Sequence, residues 1–443
     1  MAQRKSNPIR DALDSLLPRK VVRDVARETG AVQRERKIDI VAFVWTLVLG
    51  FAVGTERTLA GLRRAFEKTT GVRVVPSAFY DRFSAGLVRL MKRLVAEVIS
   101  NLVPPAYALG GTLAAFREVL VADSTVIRLH DLLARAFPAC RTNHTLAAAK
   151  LHVVFNVTGA GMHSIRLTSE RVHDGPVLRA GRWIRDRLML FDLGYYRFQL
   201  FDCIRRQGGY FVSRLKERAN PIITAVHRSW RGRSVPLVGE RLQDVLSRLR
   251  RQALDVEVEL EFQRHTYGGH RTTARARFRL VGVLDPQTHR YHLYLTNIPA
   301  ETLAPEEIAA VYSARWIIEL LFREMKASYR LEDMPSAKRE VVESLIYATI
   351  LTLAASRALR AALARRLRRL AHRLPTERWA IVFADVADEL LGVVAGPAGE
   401  RDVLARRALR FLEHEAVDPN ATRPHLMTRV MHATTHTTVP RAA

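Results

Sequence analysis

Cysteine is nearly absent. Two residues, Cys140 and Cys203, in a chain of 443 exclude a disulfide framework and a four-thiolate metal site, and there is no Cys-x-x-Cys pair; a reducing compartment fits. Residues 1–17 lack the apolar core and small-residue cleavage site of a secretory signal. Long apolar runs are lacking too. The longest, residues 40–55 between Asp39 and Glu56, is shorter than the ~20 residues that span a bilayer, so it reads as a buried helix and no membrane partner is expected. Glycine (23) and proline (18) are too few for a collagen-like or low-complexity chain. Acid is in short supply: 44 Asp and Glu face 70 Lys and Arg, a net charge of +26. That surplus says nothing about fold, but its field attracts a polyanion, with nucleic acid first among the candidates.

What is there is globular. Apolar residues make up 48% and charged residues 26%, and the length calls for more than one domain. Residues 1–105 are helical and basic, a candidate DNA-binding region. Within them, 58–68 reads as one helix, Gly71 as a break, and Pro76-Ser77 as a fresh start with a hydroxyl placed to cap. Phe79, Phe83, Leu87, Leu90, Met91 and Leu94 then recur at helical spacing, leaving Tyr80, Arg82, Arg89 and Arg93 mostly on other faces. Two helices about a short turn with a basic side suit a DNA groove; a plain helical bundle has the same pattern.

Past Pro104-Pro105 and Gly110-Gly111 the period becomes extended. Residues 118–129, 151–157, 163–168, 188–192 and 210–215 read as strands, with helical segments at 176–187 and 198–207. Three successive strands followed by strand-helix alternation predict an α/β fold, a mixed sheet covered by helices. Residues 106–236 form the first part of that core. Residues 237–300 are β-rich and look inserted. There, Glu257, Glu259 and Glu261 alternate with apolar residues, as do Arg275, Arg277 and Arg279; the register should set 261 against 275, 259 against 277 and 257 against 279, about an odd-length loop near Gly268. A third strand spans 291–297. Pro305-Glu306-Glu307 opens a helix running to about 329, closing the core at 301–337. Residues 338–416 are helical with a basic cluster at 365–369, a candidate dimerisation region, and 417–443 read as a flexible tail whose histidines are solvated.

The sharpest signal lies on the helix at 312–326. At about 100° per residue, Tyr312, Arg315, Glu319 and Lys326 share a sector about 60° wide, flanked by Trp316 and Arg323. A solvated, salt-bridged face would look the same, except that Trp316, Ile317, Ile318, Leu320, Leu321 and Phe322 leave little of this helix for water. A polar stripe on so apolar a helix needs a partner inside a cleft.

Tyr-x2-Arg-x3-Glu-x6-Lys at these positions resembles the Y-R-E-K signature of bacterial insertion-sequence transposases of the IS-four type. Val-Ala-Asp123-Ser-Thr and Leu-Phe-Asp192-Leu-Gly-Tyr-Tyr are similar to the segments that carry the first two aspartates of that family's D-D-E triad, and FVSRLKERANP, with Arg214 and Lys216, resembles its strand and basic turn. The likeness runs from about 119 to 331. It implies a ribonuclease-H-like core with a β insertion before the glutamate helix, a DNA-cutting and DNA-joining enzyme, and Asp123, Asp192 and Glu319 as catalytic residues and metal ligands. It further implies two Mg²⁺ ions, with Mn²⁺ able to substitute, and Tyr312, Arg315, Lys326, Trp316, Arg323, Arg214 and Lys216 on DNA phosphates. Carboxylate oxygens suit such hard ions, and a pair of ions neutralises charge on both attacking and leaving oxygens. The partners implied are double-stranded DNA, at element ends and target, and a second copy of the chain on paired ends, in the bacterial cytoplasm at the nucleoid. Asp186 and Asp202 read as solvated, and His173-Asp174 as a loop. Tyr291, His292 and Tyr294 are the insertion's candidates for stacking on a flipped base, with packing the plainer reading. A DNA-binding regulator without catalysis, and a nuclease that cuts but never joins, are the alternatives.

Overall fold

Nine strands form one sheet in the order β3-β2-β1-β4-β5-β11-β10-β9-β6. They are β1 (Glu118–Leu129), β2 (Ala147–Asn156), β3 (Gly161–Ser169), β4 (Arg187–Phe191), β5 (Tyr210–Arg214), β6 (Ile222–Val226), β9 (Ala253–Gln263), β10 (Thr273–Leu284) and β11 (Tyr291–Thr296); β7 (Ser229–Trp230) and β8 (Arg233–Ser234) pair separately. This is a computed structural model, and it describes residues 7–421 and 430 apart from 35–36, 55–56, 102–108, 141–144, 159–160, 228, 231–232, 235, 264–271 and 369–372. The Pro104-Pro105 linker, the loop about Gly268 and the histidines of the tail lie outside the described residues.

β1 runs antiparallel to β2 and parallel to β4, β2 is antiparallel to β3, and β4 is parallel to β5. That five-strand order is the one a ribonuclease-H-like core requires. Strands β9–β11 extend the same sheet, joining it where β11 pairs antiparallel with β5. Both faces are covered. Val119 and Val121 of β1 enter one core while Leu120 and Ala122 enter another, which is why this strand is apolar without alternation. On the second face the helix Phe198–Arg206 packs against the sheet, with Phe201 stacked flat on Phe211 at 4.3 Å.

The first face carries the helices of both ends of the chain. The helix Ile40–Gly50 is buried at every residue, as expected from its apolar run. The helix Arg339–Leu367 is long and apolar enough to cross a membrane, yet 83% of its most apolar window is buried inside the protein. It packs against Pro8–Leu16, Ile40–Gly50 and Ala85–Asn101, and Thr352 Oγ1 donates to the Val48 carbonyl. The apolar stripe from Phe79 to Leu94 faces this core, and Arg89 spends its guanidinium on the Thr29 carbonyl. Ser77 caps nothing: Pro76–Tyr80 is a single short turn, and Ser84 accepts from the Leu87 amide at the start of the next helix.

Three other local readings change. The segment 176–187 is not helical throughout, because Gly181 adopts extended backbone; it holds one short turn at Asp174–Val177 and a 3₁₀ turn at Arg182–Ile184. The helix expected over 305–329 is three pieces, Pro305–Ser313, Trp316–Arg323 and a π-helical turn Glu324–Ser328. Asp202 is buried, 1% exposed, and held by Arg205 and Arg206.

The Glu/Arg hairpin has the expected register: Arg275 opposite Glu261, Arg277 opposite Glu259 and Arg279 opposite Glu257. The outer pairs bridge at 3.0 and 3.7 Å in solvent. Arg279 departs from them. Its side chain is buried, grips Asp255 with two bonds of 2.7 and 2.8 Å, and donates to the carbonyls of Ile298, Pro299 and Leu303. It thereby ties the hairpin to the chain that leads into the helix at Pro305.

Candidate active site

The ladder between the parallel strands β1 and β4 ends at the pair Ala122 and Phe191. Asp123 and Asp192 are therefore the next residues on two adjacent parallel strands, about 5 Å apart in backbone terms. Asp192 leaves its strand and precedes the 3₁₀ turn Leu193–Tyr195. The helix Trp316–Arg323 packs across β1 and brings Glu319 to the same end. The Asp123 carboxylate accepts from the Ser124 amide at 2.8 Å. Arg315 Nη2 bonds Glu319 at 2.6 Å while Nη1 lies 4.0 Å from Asp123.

The crowding has an electrostatic signature. Burial pushes the Asp123 carboxyl up to about 6, with the charges of Asp192 and Glu319 adding to the rise and the Ser124 amide and Arg315 opposing it. Asp123 thus feels both other acids, and the Arg315 guanidinium stands among them.

The remaining residues of the stripe are placed differently. Tyr312 is buried; its hydroxyl donates to the Phe191 carbonyl at 3.1 Å, and its ring packs on Tyr294 at 5.1 Å. It braces the end of β4 one residue before Asp192. Burial pushes its hydroxyl up to about 12, so it is a donor at any physiological pH. Lys326, displaced by the π-helical turn, donates to the Val126 carbonyl at 2.7 Å and pairs with Glu332 at 2.8 Å. Trp316 (45% exposed) and Arg323 face solvent on the same helix. Arg214 and Lys216 are exposed at the end of β5; Arg214 reaches His292, and the Lys216 ammonium lies over Tyr196. Tyr291 bonds the Arg251 carbonyl and Tyr294 is buried, so both pack within the protein.

Asp174, a loop residue by its sequence, belongs to this site as well. Asp174 accepts from the Ser124 hydroxyl at 2.7 Å and lies 3.2 Å from His152 and 3.6 Å from Lys150. The other His152 nitrogen is 2.9 Å from the Thr168 hydroxyl. Although burial opposes it, bonding to His152 and Ser124 and the Lys150 charge hold the Asp174 carboxyl below its ordinary value. Asp174 also abuts Gly194, where an added Cβ would lie 3.4 Å from its Oδ2. It therefore links the strand of Asp123 to the turn after Asp192. The legible sign was Lys150 and His152 interrupting an otherwise apolar strand; Ser124 pairs across the sheet with His152.

Asp123, Asp192 and Glu319 present carboxylate oxygens, the donor type that hard divalent cations take. As they stand, no three acidic, His or Cys side chains among the described residues are close enough to hold one ion, and Arg315 supplies the positive charge between Asp123 and Glu319.

A family model described as "Transposase DDE domain" matches residues 114–355, which contain all three acids. The chain belongs to that family. Its members are enzymes that cleave and transfer DNA, and they use divalent metal ions. Similar proteins include the transposase for insertion sequence element IS231F of Bacillus thuringiensis subsp. israelensis, 20% identical over 79% of each chain. The transposase for IS231E of Bacillus thuringiensis subsp. finitimus is 21% identical over 74% of this chain and 75% of its own. The transposase for IS1151 of Clostridium perfringens is 18% identical over 75% and 76%. The enzyme is thus a DNA transposase of the bacterial insertion-sequence kind.

Proposed function

We propose that this transposase binds the inverted-repeat ends of its own element, hydrolyses a strand there to expose a 3′-hydroxyl, and joins that hydroxyl to target DNA. The observation that carries the reading is the meeting of Asp123, Asp192 and Glu319 around Arg315 at one end of the sheet. In the first step a water oxygen bonds to phosphorus and the bond to the 3′ oxygen breaks, leaving a 5′-phosphate and a 3′-hydroxyl. In the second that hydroxyl attacks a target phosphodiester and releases a target 3′-hydroxyl.

Asp123, Asp192 and Glu319 would hold the divalent ions, Mg²⁺ with Mn²⁺ as a substitute. When bound, these neutralise charge on the attacking and leaving oxygens. The chain's own residues do the rest. Arg315, relieved by the metal of its role between the acids, has the planar fork to grip a non-bridging phosphate oxygen pair. Tyr312 and Lys326 hold the ends of β4 and β1 in place through backbone carbonyls. Exposed Trp316, Arg323, Arg214 and Lys216 rim the site and can meet flanking phosphates. Asp174 and Ser124 fix the strand that carries Asp123. Coordinated cutting of two ends calls for at least a dimer, and the place of work is the nucleoid.

The test is strand transfer. Short inverted repeats bounded by a direct duplication should flank the reading frame, and a duplex ending in that repeat should join a target plasmid in the presence of Mg²⁺. Cleavage without joined product would support the nuclease reading; binding without cleavage would support a regulator.

A further inference from the structure

Arg57 belongs to the N-terminal helical region and makes no contact with Asp123, Asp192 or Glu319 among the described residues. It stands just before Thr58, whose hydroxyl caps the helix Leu59–Thr70, and its side chain is 8% exposed. The guanidinium packs over the Phe51 ring, 4.2 Å from the centroid. Its Nε, Nη1 and Nη2 are all shielded from solvent, and none has a hydrogen-bond partner among the described residues. The Asp333 carboxylate approaches to 4.0 Å, beyond hydrogen-bond reach, and already receives Arg330 Nε at 2.8 Å. Arg330 itself is in the left-handed region, φ 48°, a conformation that costs a residue with a Cβ. Burial first and the charge of Arg330 second bring the Arg57 pKa down to about 10, with Asp333 opposing them.

A buried cation whose three nitrogens all lack a partner is an expensive arrangement, since buried polar groups are nearly always paired. A second guanidinium alongside adds repulsion. One carboxylate, shared and too far for a bond, does not resolve it. Two oxygens of a phosphodiester would, because they match the fork of one arginine and leave the other free to bond from outside.

We infer that Arg57 and Arg330 form a subsite for a DNA backbone phosphate, distinct from the catalytic carboxylates, in which the phosphate takes the position now held by the Asp333 carboxylate. The site lies beyond the π-helical turn that follows the helix of Glu319. It links the N-terminal helices to the DNA track of the core. The inference rests on the chain being a DNA-acting enzyme.

The experiment measures binding of a labelled duplex of arbitrary sequence to the full chain by fluorescence anisotropy over a salt series, without divalent metal. Arg330→Gln changes a half-exposed side chain, and its unfolding midpoint should stay that of the wild type. Its affinity should fall several-fold, and its plot of log affinity against log salt should become shallower by at most about 0.9, the share of one phosphate contact. Arg57→Lys keeps the charge but loses the fork; its slope should be unchanged and its affinity several-fold lower. Asp333→Asn, which removes the competing carboxylate, should bind more tightly. An arginine that only packs on Phe51 gives wild-type affinity and slope in both arginine variants, and that result overturns the subsite. Failure of the wild type to bind any duplex would instead sink the DNA reading on which the subsite depends.

Discussion

Replacing Asp123 by asparagine should make the metal-free protein more stable, and the size of the gain should depend on pH in a way that reports the burial of Asp123, with the charges of Asp192 and Glu319 adding to it. The Asp123 carboxyl sits near 6 in the folded protein against an ordinary value of 3.8. A displacement of about 2 pH units is worth about 3 kcal/mol between the ionised and neutral forms, an upper bound because asparagine also loses the attraction of Arg315. The folded state binds this proton more tightly than the unfolded chain. Stability contributed by Asp123 is therefore present below about pH 4, is lost as pH rises to about 6, and stays lost above it. The asparagine amide does not titrate. The midpoint difference between Asp123→Asn and wild type should be near zero at about pH 4, grow through about pH 6 and level off at a few degrees by about pH 7. Thermal unfolding with a chelator present, across that range, measures it. Adding Mg²⁺ should raise the wild-type midpoint and leave the variant's unchanged. A difference that is flat with pH, or of opposite sign, would refute the claim that Asp123 is buried beside Asp192 and Glu319.

Other outcomes follow from the same structure. Arg279→Met should cost about 3–5 kcal/mol in denaturant unfolding, because it strands the buried Asp255 and three carbonyls. Arg275→Gln in the exposed part of the same ladder should cost less than about 1 kcal/mol. Asp174→Asn should lower cleavage roughly 10–100-fold, the range seen when a partner that orients a site is lost, while duplex affinity without metal stays at the wild-type value; equal cleavage would remove Asp174 from the positioning role.

The legible parts of this chain were those where one residue pattern had one physical outcome. Strand β1 falls at 118–129 as read, because a run apolar on both sides can only be buried on both faces. The hairpin register was fixed by Glu and Arg alternation, since a slip of one residue would have put the charges in the core. The helix of Glu319 was placed by its stripe. What was not legible depends on depth and on distant neighbours. Nothing in the alternation distinguishes Arg279 from Arg275; only the arrival of residues 298–303 over one end of the ladder buries it. Asp174 is a common loop residue in sequence, and becomes part of the site through Ser124 and His152, which reach it from two other strands. The helical wheel assumed a straight α-helix over 312–326, and the breaks at Ala314 and Glu324 gave Tyr312 and Lys326 backbone carbonyls as partners. Asp202 is 1% exposed and held by Arg205 and Arg206, and its depth cannot be read from its place on the helix.

The most direct measurement is cleavage of DNA carrying the element's ends with Mg²⁺ or Mn²⁺ by the wild type, by Asp192→Asn and by Glu319→Gln, with duplex binding measured in parallel. Loss of several kcal/mol of charge stabilisation corresponds to a rate at least about 10³-fold lower, so both variants should bind DNA and fail to cut it. Cutting by Glu319→Gln at the wild-type rate would contradict the account.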